Sequence, residues 1–391
     1  MLAGAHGRAT QKAMQILVAL GTIYHAPRLI PVISVQIAGV SYDNLGEAGL
    51  QFLAEMADGG GQARVKATLN PAGMDIENWP ALGILSDFAE KQMLVIDAFA
   101  RMGVETSCTC TPYLIGNLPA YGDHIAWSES SAVCYANAVL AARSNREGGP
   151  SALAAALTGR TPEYGLHLEE NRYPGLTVNV TARLQENTDF GALGKAIGEK
   201  VQATKIIPYI TGIDSASLEQ LKSFCASLAT YGGAALFHIP GLTPEASLYQ
   251  PPAESLTITQ ANLDDANRSL SDATEAEVDF VSLGCPHLTL AEIARIAALL
   301  DGKQVTREFW ITTARPIKQI ADRLGYTQVI IAAGAKIAAD TCCVVAPIGG
   351  RFTALAADSA KACYYASGKN NFKTLFLPFE DVVRLAIQAR D

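Results

Sequence analysis

The stretch from Asp279 to Cys343, DFVSLGCPHLTLAEIARIAALLDGKQVTREFWITTARPIKQIADRLGYTQVIIAAGAKIAADTCC, decides the fold. DFVSLGCPH reads as a strand running into a loop, LTLAEIARIAALL as a helix, REFWITTA as a strand and PIKQIADRLGY as a helix. A strongly apolar run then ends in DTCC. Strands that alternate with helices predict a largely parallel, helix-covered α/β architecture. Working outward, the same rhythm recurs in LTVNVTARL (strand), DFGALGKAIGEKV (helix) and KIIPYITGI (strand). Towards the start, a helix is predicted over Ala5–Leu20, and a buried strand over Leu29–Val35 ends at the turn Gly39-Val40-Ser41. A helix over Glu47–Met56 and a short strand, ARVKATL, follow, and the strand runs into the turn Asn70-Pro71-Ala72-Gly73. Ser86–Met102 is amphipathic and helical. In the middle, Ser128-Glu129-Ser130 looks like a helix start, and the helix is predicted to continue to Gly148-Gly149-Pro150.

At 391 residues the chain is too long for one simple core and suggests two or three packed α/β subdomains, whose boundaries the sequence breaks do not fix. With 49% hydrophobic and 17% charged residues, it reads as a globular protein with buried parallel strands. The net charge of −8 argues against nucleic acid as the main ligand, because no basic excess is available to neutralise phosphates. No uninterrupted apolar run approaches the ~18–20 residues that span a membrane, and the start lacks a signal-peptide pattern. The cytoplasm is therefore the expected compartment.

In such folds functional groups gather in loops at the carboxyl ends of strands. GVS, LNPAGMD, CTCTPY, GCPH and DTCC are five loops of that kind. The chain has eight cysteines, and in a cytoplasmic protein of this size a disulfide framework is not expected. Free cysteine behaves as a small hydrophobe, which accounts for Cys134 and Cys225 inside helical runs. Cys110, Cys285 and Cys342 instead sit in polar, turn-like sequence. Thiolates hold iron, and three of them rather than four leave one iron of a cubane cluster open. Such an iron is a Lewis acid and suits a hydro-lyase better than an electron carrier. On spacing alone two other readings stay open: a non-catalytic iron–sulfur scaffold or redox sensor, and a cluster-free α/β binding protein with scattered core cysteines.

Several runs resemble the catalytic portion of aconitase X proteins, dehydratases related to aconitase. The longest is TCTPYLIGNLPAYGDHIAWSESSAVCYANAVLAARSNREGGPSALAAALTGRTPEYGLHLEENR, and GVSYDNLGEAG, ATLNPAGMD, SLGCPH and AADTCCVVAPI accompany it. Together they extend over nearly the whole chain, so the resemblance implies one aconitase-like catalytic body over residues 1–391, built of packed three-layer α/β subdomains. It also implies an iron–sulfur cluster, of the 4Fe-4S type with one open iron, on Cys110, Cys285 and Cys342, with Cys108 and Cys343 as the neighbours most easily confused with them. Ordinary aconitase has two of its three cysteines in one CxxC, and no CxxC occurs here, a departure that leaves the number of irons in the cluster open.

The same resemblance implies a substrate pocket formed by Gly39, Val40, Ser41, Asn70, Pro71, Glu129, Ser130 and Lys361, with Glu129 and Ser130 also catalytic. Glycine lets a ligand approach the backbone, Asn70 offers donor and acceptor, and Lys361 supplies a point charge. Residue by residue, Gly39-Val40-Ser41 also reads as a plain strand-ending turn, Ser130 as a cap and Lys361 as a solvated helix residue. Asn145-Arg146-Glu147 and His167-Glu170-Asn171-Arg172 read either as organisers of an active site or, with slight preference, as braces of a subdomain interface, and His287, two residues after Cys285, reads as a loop histidine in preference to a group behind the cluster. The implied reaction dehydrates a small β-hydroxy acid: mevalonate 5-phosphate, as in two-chain members, or cis-3-hydroxy-L-proline, as in fused ones. The swivel domain that closes over the cluster in aconitases is expected on a separate small subunit, and the chain alone is expected to be inactive.

Overall fold

Three parallel sheets, each wrapped by helices, succeed one another along the chain in this computed structural model, which describes residues 1–389. The first unit holds β1 (Leu29–Pro31), β2 (Ser34–Ile37), β3 (Lys66–Leu69), β4 (Ile125–Trp127) and β5 (Arg160–Pro162). Its helices are α1 (Arg8–Ile23), α2 (Tyr42–Asp58), α3 (Ser86–Arg101), α4 (Ser130–Ala138) and α5 (Gly149–Thr158). The second unit has β6 (Leu176–Val180), β7 (Pro208–Thr211) and β8 (Ser255–Ile258), with α6 (Asn187–Val201), α7 (Leu218–Gly232) and α8 (Gln260–Ser269). The third has β9 (Phe280–Leu288), β10 (Glu308–Thr313), β11 (Lys336–Ala339), β12 (Ala354–Ala357) and β13 (Lys373–Phe376). Around it lie α9 (Leu290–Leu300), α10 (Arg315–Arg323), α11 (Tyr326–Ala332), α12 (Ala360–Asn370) and α13 (Phe379–Ile387).

The sheet orders are β3-β2-β4, β7-β6-β8 and β11-β10-β9-β12-β13, all parallel, with β1 and β5 as a separate antiparallel pair. In the third sheet the chain winds outward from β9 through β10 to β11, then returns to the other side of β9 as β12 and β13. The β9/β12 gap is therefore a topological switch point, where crossovers leave on opposite faces and a crevice opens at the carboxyl ends. Only two residue pairs, Leu355↔Phe280 and Ala356↔Val281, join these strands before they part. The first sheet has its own switch point between β2 and β4, and the two crevices meet.

Two predicted elements are drawn differently by the structure. Leu29–Val35 is not one strand: Pro31 lacks the N–H to continue a ladder, so the segment splits between β1, paired with β5, and β2 at the centre of the first sheet. The helix predicted to run from Ser130 to Gly148-Gly149-Pro150 stops at Ala138. The Asn137 amide takes over there, donating to the Ser144 carbonyl at 2.9 Å and accepting from the Ser144 N–H at 2.9 Å, so the backbone folds back. Gly149-Pro150 then opens α5 instead of closing α4, because proline in the first helical turn has no N–H to leave unbonded.

The cores join across units. Trp127 and Val133 of the first unit share an apolar cluster with Val178, Phe190 and Phe224 of the second. Met74, Ile84 and Ala89 of the first share another with Phe280 and Trp310 of the third. Within the second unit α6 and α7 cross at backbone contact: a Cβ on Gly194 would meet the Phe224 carbonyl at 2.8 Å, and one on Gly198 the Gly232 nitrogen at 2.8 Å. Among the described residues no helix is long and apolar enough to cross a membrane.

Candidate active site

β2 is buried along its whole length, yet its third residue is polar. Gln36 has no solvent exposure, so its amide must find partners inside the protein. Its Nε2 donates to Asn70 Oδ1 at 3.2 Å and to the Thr109 carbonyl at 3.3 Å, and its Oε1 accepts from the Glu129 N–H at 2.9 Å. One side chain thereby fixes the loop after β3, the loop before Cys110 and the loop after β4.

These loops face the crevice of the third sheet across a cavity of about 210 Å³. On its wall are Cys110, Cys285 and Cys342, together with Asn70, Pro71, Glu129, Ser130 and Lys361. Cys285 reaches it because β9 is interrupted: its register against β10 shifts between Ile311 and Thr313. At that shift Gly284 takes a φ of 119°, and a Cβ there would collide with the Thr312 carbonyl. Only glycine fits such a position. Cys342 follows β11, and Cys110 precedes a short 3₁₀ turn at Pro112–Leu114.

The electrostatics of the cavity are those of a site that needs positive charge. Burial, followed by the nearby Glu129 and Cys285, pushes the Cys110 thiol up to about 12. Burial and then Cys342 push Cys285 to about 12, and Cys342 itself is raised by burial, Cys343 and Cys110. Three thiolates here would require compensation beyond the one adjacent lysine, and iron would supply it. The donor set therefore fits an iron–sulfur cluster: three soft ligands on one wall, with no fourth cysteine among them. Among the described residues no three His, Cys, Asp or Glu side chains converge on a single-ion site. The other cysteines lie elsewhere, all as free thiols. Cys108 packs in the first unit's core, Cys134 and Cys225 lie together in the first–second core, and Cys343 packs with Phe280 and Trp310.

Glu129 caps α4, its Oε2 accepting from the Ala132 N–H and from the Ser131 hydroxyl, each at 2.6 Å. Its Oε1 pairs with Lys361 Nζ, and Lys361 also donates to Ser131 Oγ at 3.3 Å. Burial opposes ionisation of both partners. In Glu129 the Lys361 charge and the hydrogen bonds outweigh it and lower the carboxyl. In Lys361 the Glu129 charge and the neighbouring thiols outweigh it and raise the ammonium. Both are charged at neutral pH, so Glu129 can accept or orient but has no proton to give. Lys361, which as a bare sequence residue reads as solvated, is buried at the start of α12, where Ser359 caps the helix.

Ser130, the first residue of α4, stands on the cavity wall, and its hydroxyl makes no hydrogen bond among the described residues. Gly39, Val40 and Ser41 are placed differently from Asn70 and Pro71. Gly39 lines a second, mainly apolar cavity of about 330 Å³ that shares Ala38, Ser128 and Arg146 with the first. Val40 packs in the first core, and Ser41 donates to the Val345 carbonyl at 3.0 Å, tying its turn to the Cys342 loop. Both are buried behind the wall rather than on it.

Several site residues were not singled out by sequence. Gln36 carried a readable signal, an amide directly after the apolar run Leu29–Val35. Asn44, Tyr365 and Lys369 carried none, since they come to the wall from helix surfaces. Arg146 lines both cavities, and its guanidinium has no ion pair or hydrogen bond among the described residues, unlike an interface brace. Arg172 does brace: fully buried, it holds Glu245 of the second unit at 2.6 Å and the Asn137 carbonyl at the end of α4 at 3.1 Å. His287, read as a loop histidine, is fully buried. Its Nδ1 lies 2.9 Å from Thr109 Oγ1 and its Nε2 2.9 Å from the Thr341 carbonyl.

Sequence models of the aconitase X first, second and third domains match residues 1–170, 174–268 and 278–388, dividing the chain where the three sheets do. The phosphomevalonate dehydratase large subunit of Methanothermobacter thermautotrophicus is 44% identical over 98% of this chain and 96% of that protein. That of Thermococcus kodakarensis is also 44% identical, over 93% and 92%. The cis-3-hydroxy-L-proline dehydratase of Pseudomonas aeruginosa is 33% identical over the whole of this chain and 69% of its own length. Among solved structures, the holo-form of Thermococcus kodakaraensis aconitase X superposes with a TM-score of 0.92 at 42% identity, covering 98% of this chain and 97% of that one.

Proposed function

Because this chain belongs to the aconitase X family, we propose that it is the large subunit of a phosphomevalonate dehydratase, converting mevalonate 5-phosphate to trans-anhydromevalonate 5-phosphate. The observation that carries this reading is the meeting of Cys110, Cys285 and Cys342 on one cavity with the buried Glu129–Lys361 pair. The identity to large subunits of that enzyme supports the substrate.

Cys110, Cys285 and Cys342 would hold an iron–sulfur cluster, which when bound supplies the Lewis acidity that makes hydroxide a tolerable leaving group. The chain's own residues position the substrate. Asn70, oriented by Gln36, offers its amide N–H to a hydroxyl or carboxylate. The hydroxyl of Ser130 donates to a substrate oxygen at the start of α4, where the helix dipole favours negative charge. Lys361, kept charged by Glu129, offsets the charge that develops as the proton α to the carboxylate departs. Arg146 also lines the cavity, has no ion pair or hydrogen bond among the described residues, and suits the remaining anionic group of the substrate. The base belongs to a small subunit, the kind of partner that the name "large subunit" of the relatives implies.

The test is turnover by the anaerobically purified chain co-expressed with a small subunit, offered mevalonate 5-phosphate and cis-3-hydroxy-L-proline in parallel. Dehydration of the first alone, lost in Cys285→Ala, is the expected result. The second substrate being the one consumed would transfer the assignment to the activity of the Pseudomonas relative, and the chain alone should be inactive towards both.

A further inference from the structure

We propose that His287 is the positioning residue that holds the three cysteine-bearing loops in register, so that Cys110, Cys285 and Cys342 stay aimed at one cluster. The inference rests on the cluster reading above and goes beyond the ligands themselves. His287 follows Cys285 by two residues, Thr109 precedes Cys110, and Thr341 precedes Cys342. The imidazole bonds to both threonines, at 2.9 Å each, so one ring touches all three loops.

The hydrogen-bond inventory fixes how it does so. A carbonyl oxygen can only accept, so Nε2 carries the proton and donates it to Thr341. Nδ1 is then the acceptor and takes the Thr109 hydroxyl hydrogen. Thr109 Oγ1 in turn accepts from the Thr111 N–H at 3.1 Å, which orients it. The backbone of His287 is engaged as well. Its N–H donates to Cys110 Sγ at 3.2 Å, and its carbonyl accepts from Lys222 Nζ at 2.9 Å. Lys222 is anchored by Glu292 at 2.7 Å. Every polar atom of the residue is used, and the partners lie on the first, second and third units. The N–H to Cys110 also aims positive dipole at a ligand sulfur, a contact that tunes the potential of iron–sulfur clusters.

A buried histidine that merely fills space would change stability when replaced and leave the bound iron unaffected. A positioning residue changes how the iron is held. The variants are Thr109→Val, which removes at constant volume the hydroxyl that bonds to His287 and to Thr111, His287→Gln, which retains a donor towards Thr341, and His287→Leu. Each is produced as the full chain with a small subunit and reconstituted anaerobically with iron and sulfide. The readouts are the rate of iron loss to a ferrous chelator, the electron paramagnetic resonance spectrum, and the thermal midpoint without iron. His287→Leu is expected to lose iron at least ~10-fold faster than wild type, in line with the usual effect of removing an outer-shell partner. Thr109→Val should fall between, with His287→Gln partly rescued and the spectra of His287→Leu and Thr109→Val altered. The Thr109→Val/His287→Leu double variant should be no worse than His287→Leu, because the two side chains share one bond. Wild-type iron-loss rates and spectra in both Thr109→Val and His287→Gln would overturn the inference while leaving the cluster reading intact. A wild-type chain that takes up no iron would overturn the cluster reading, and the inference with it.

Discussion

Glu129 and Lys361 are buried partners, so removing either leaves the other as an uncompensated charge. Breaking a buried pair in this way costs about 3–5 kcal/mol. Lys361→Met is therefore expected to lower the free energy of unfolding, measured in urea, by that order and to abolish turnover. Glu129→Met/Lys361→Met should recover part of the stability and none of the activity. A double variant no more stable than the single would show that the pair is not what the single substitution disrupts. A second test at this scale concerns His167. Burial, and then His124, Arg172 and Arg143, depress this imidazole to about 3. The unfolded chain takes up the proton near ~6.5, so the folded state loses stability as the pH falls from there towards 3. The stability difference between wild type and His167→Asn should accordingly narrow across that window, measured as thermal midpoints; a constant difference would assign His167 an uncharged role. At the residue scale the sequence exposed what chemistry makes rare, such as cysteines in polar, turn-like loops. It did not expose Lys361 as buried, because burial of a helix residue depends on what packs over it.

The strands that carry the site were legible as elements, because apolar runs punctuated by glycine and proline are local signals. Their ends were less so. α4 ends where Asn137 captures the backbone of Ser144, seven residues further on, and α5 begins at a glycine-proline pair that reads equally well as a stop. The interruption of β9 is similar: Gly284 looked like a loop start, and its need for glycine comes from the Thr312 carbonyl on the neighbouring strand. Gly284→Ala should therefore displace Cys285 and leave a chain that expresses poorly, or folds and binds little iron. A soluble variant with a full complement of iron would contradict this. At the α6/α7 crossing, Gly194→Leu forces a side chain against Phe224 and Ser227. Overpacking of this kind costs about 1–3 kcal/mol, read as a lower thermal midpoint.

Across the whole molecule the α/β class and the aconitase-like body were legible in the sequence, and the seams between units were not. Arg315, at the start of α10, joins Asp75 of the first unit at 2.7 Å to Asp340 of the third. Asp75 also accepts from the Ala339 N–H at 2.8 Å, and the Ala72 N–H donates to the Asp340 carbonyl at 2.7 Å. This seam lies directly beside the Asn70 and Cys342 loops. Arg315→Ala is expected to raise amide hydrogen exchange at Ala72 and Ala339 by ~10-fold or more while leaving β6 unchanged, since local opening follows local contacts. Uniform acceleration through β6 would mean that the arginine supports the whole fold instead. Such pairings bring together residues hundreds of positions apart, and no local pattern announces them.

The wide separation of the three cysteines has a consequence for how the protein is made. Cys110 leaves the ribosome early, and Cys342 only when almost nine-tenths of the chain has been synthesised. No fragment that ends before Cys342 displays more than part of the thiol set, and a product cut short before β11 never acquires its last member. On the proposed cluster reading, iron and sulfide would be taken up only by chains that extend past Cys342, and shorter translation products would not compete for them.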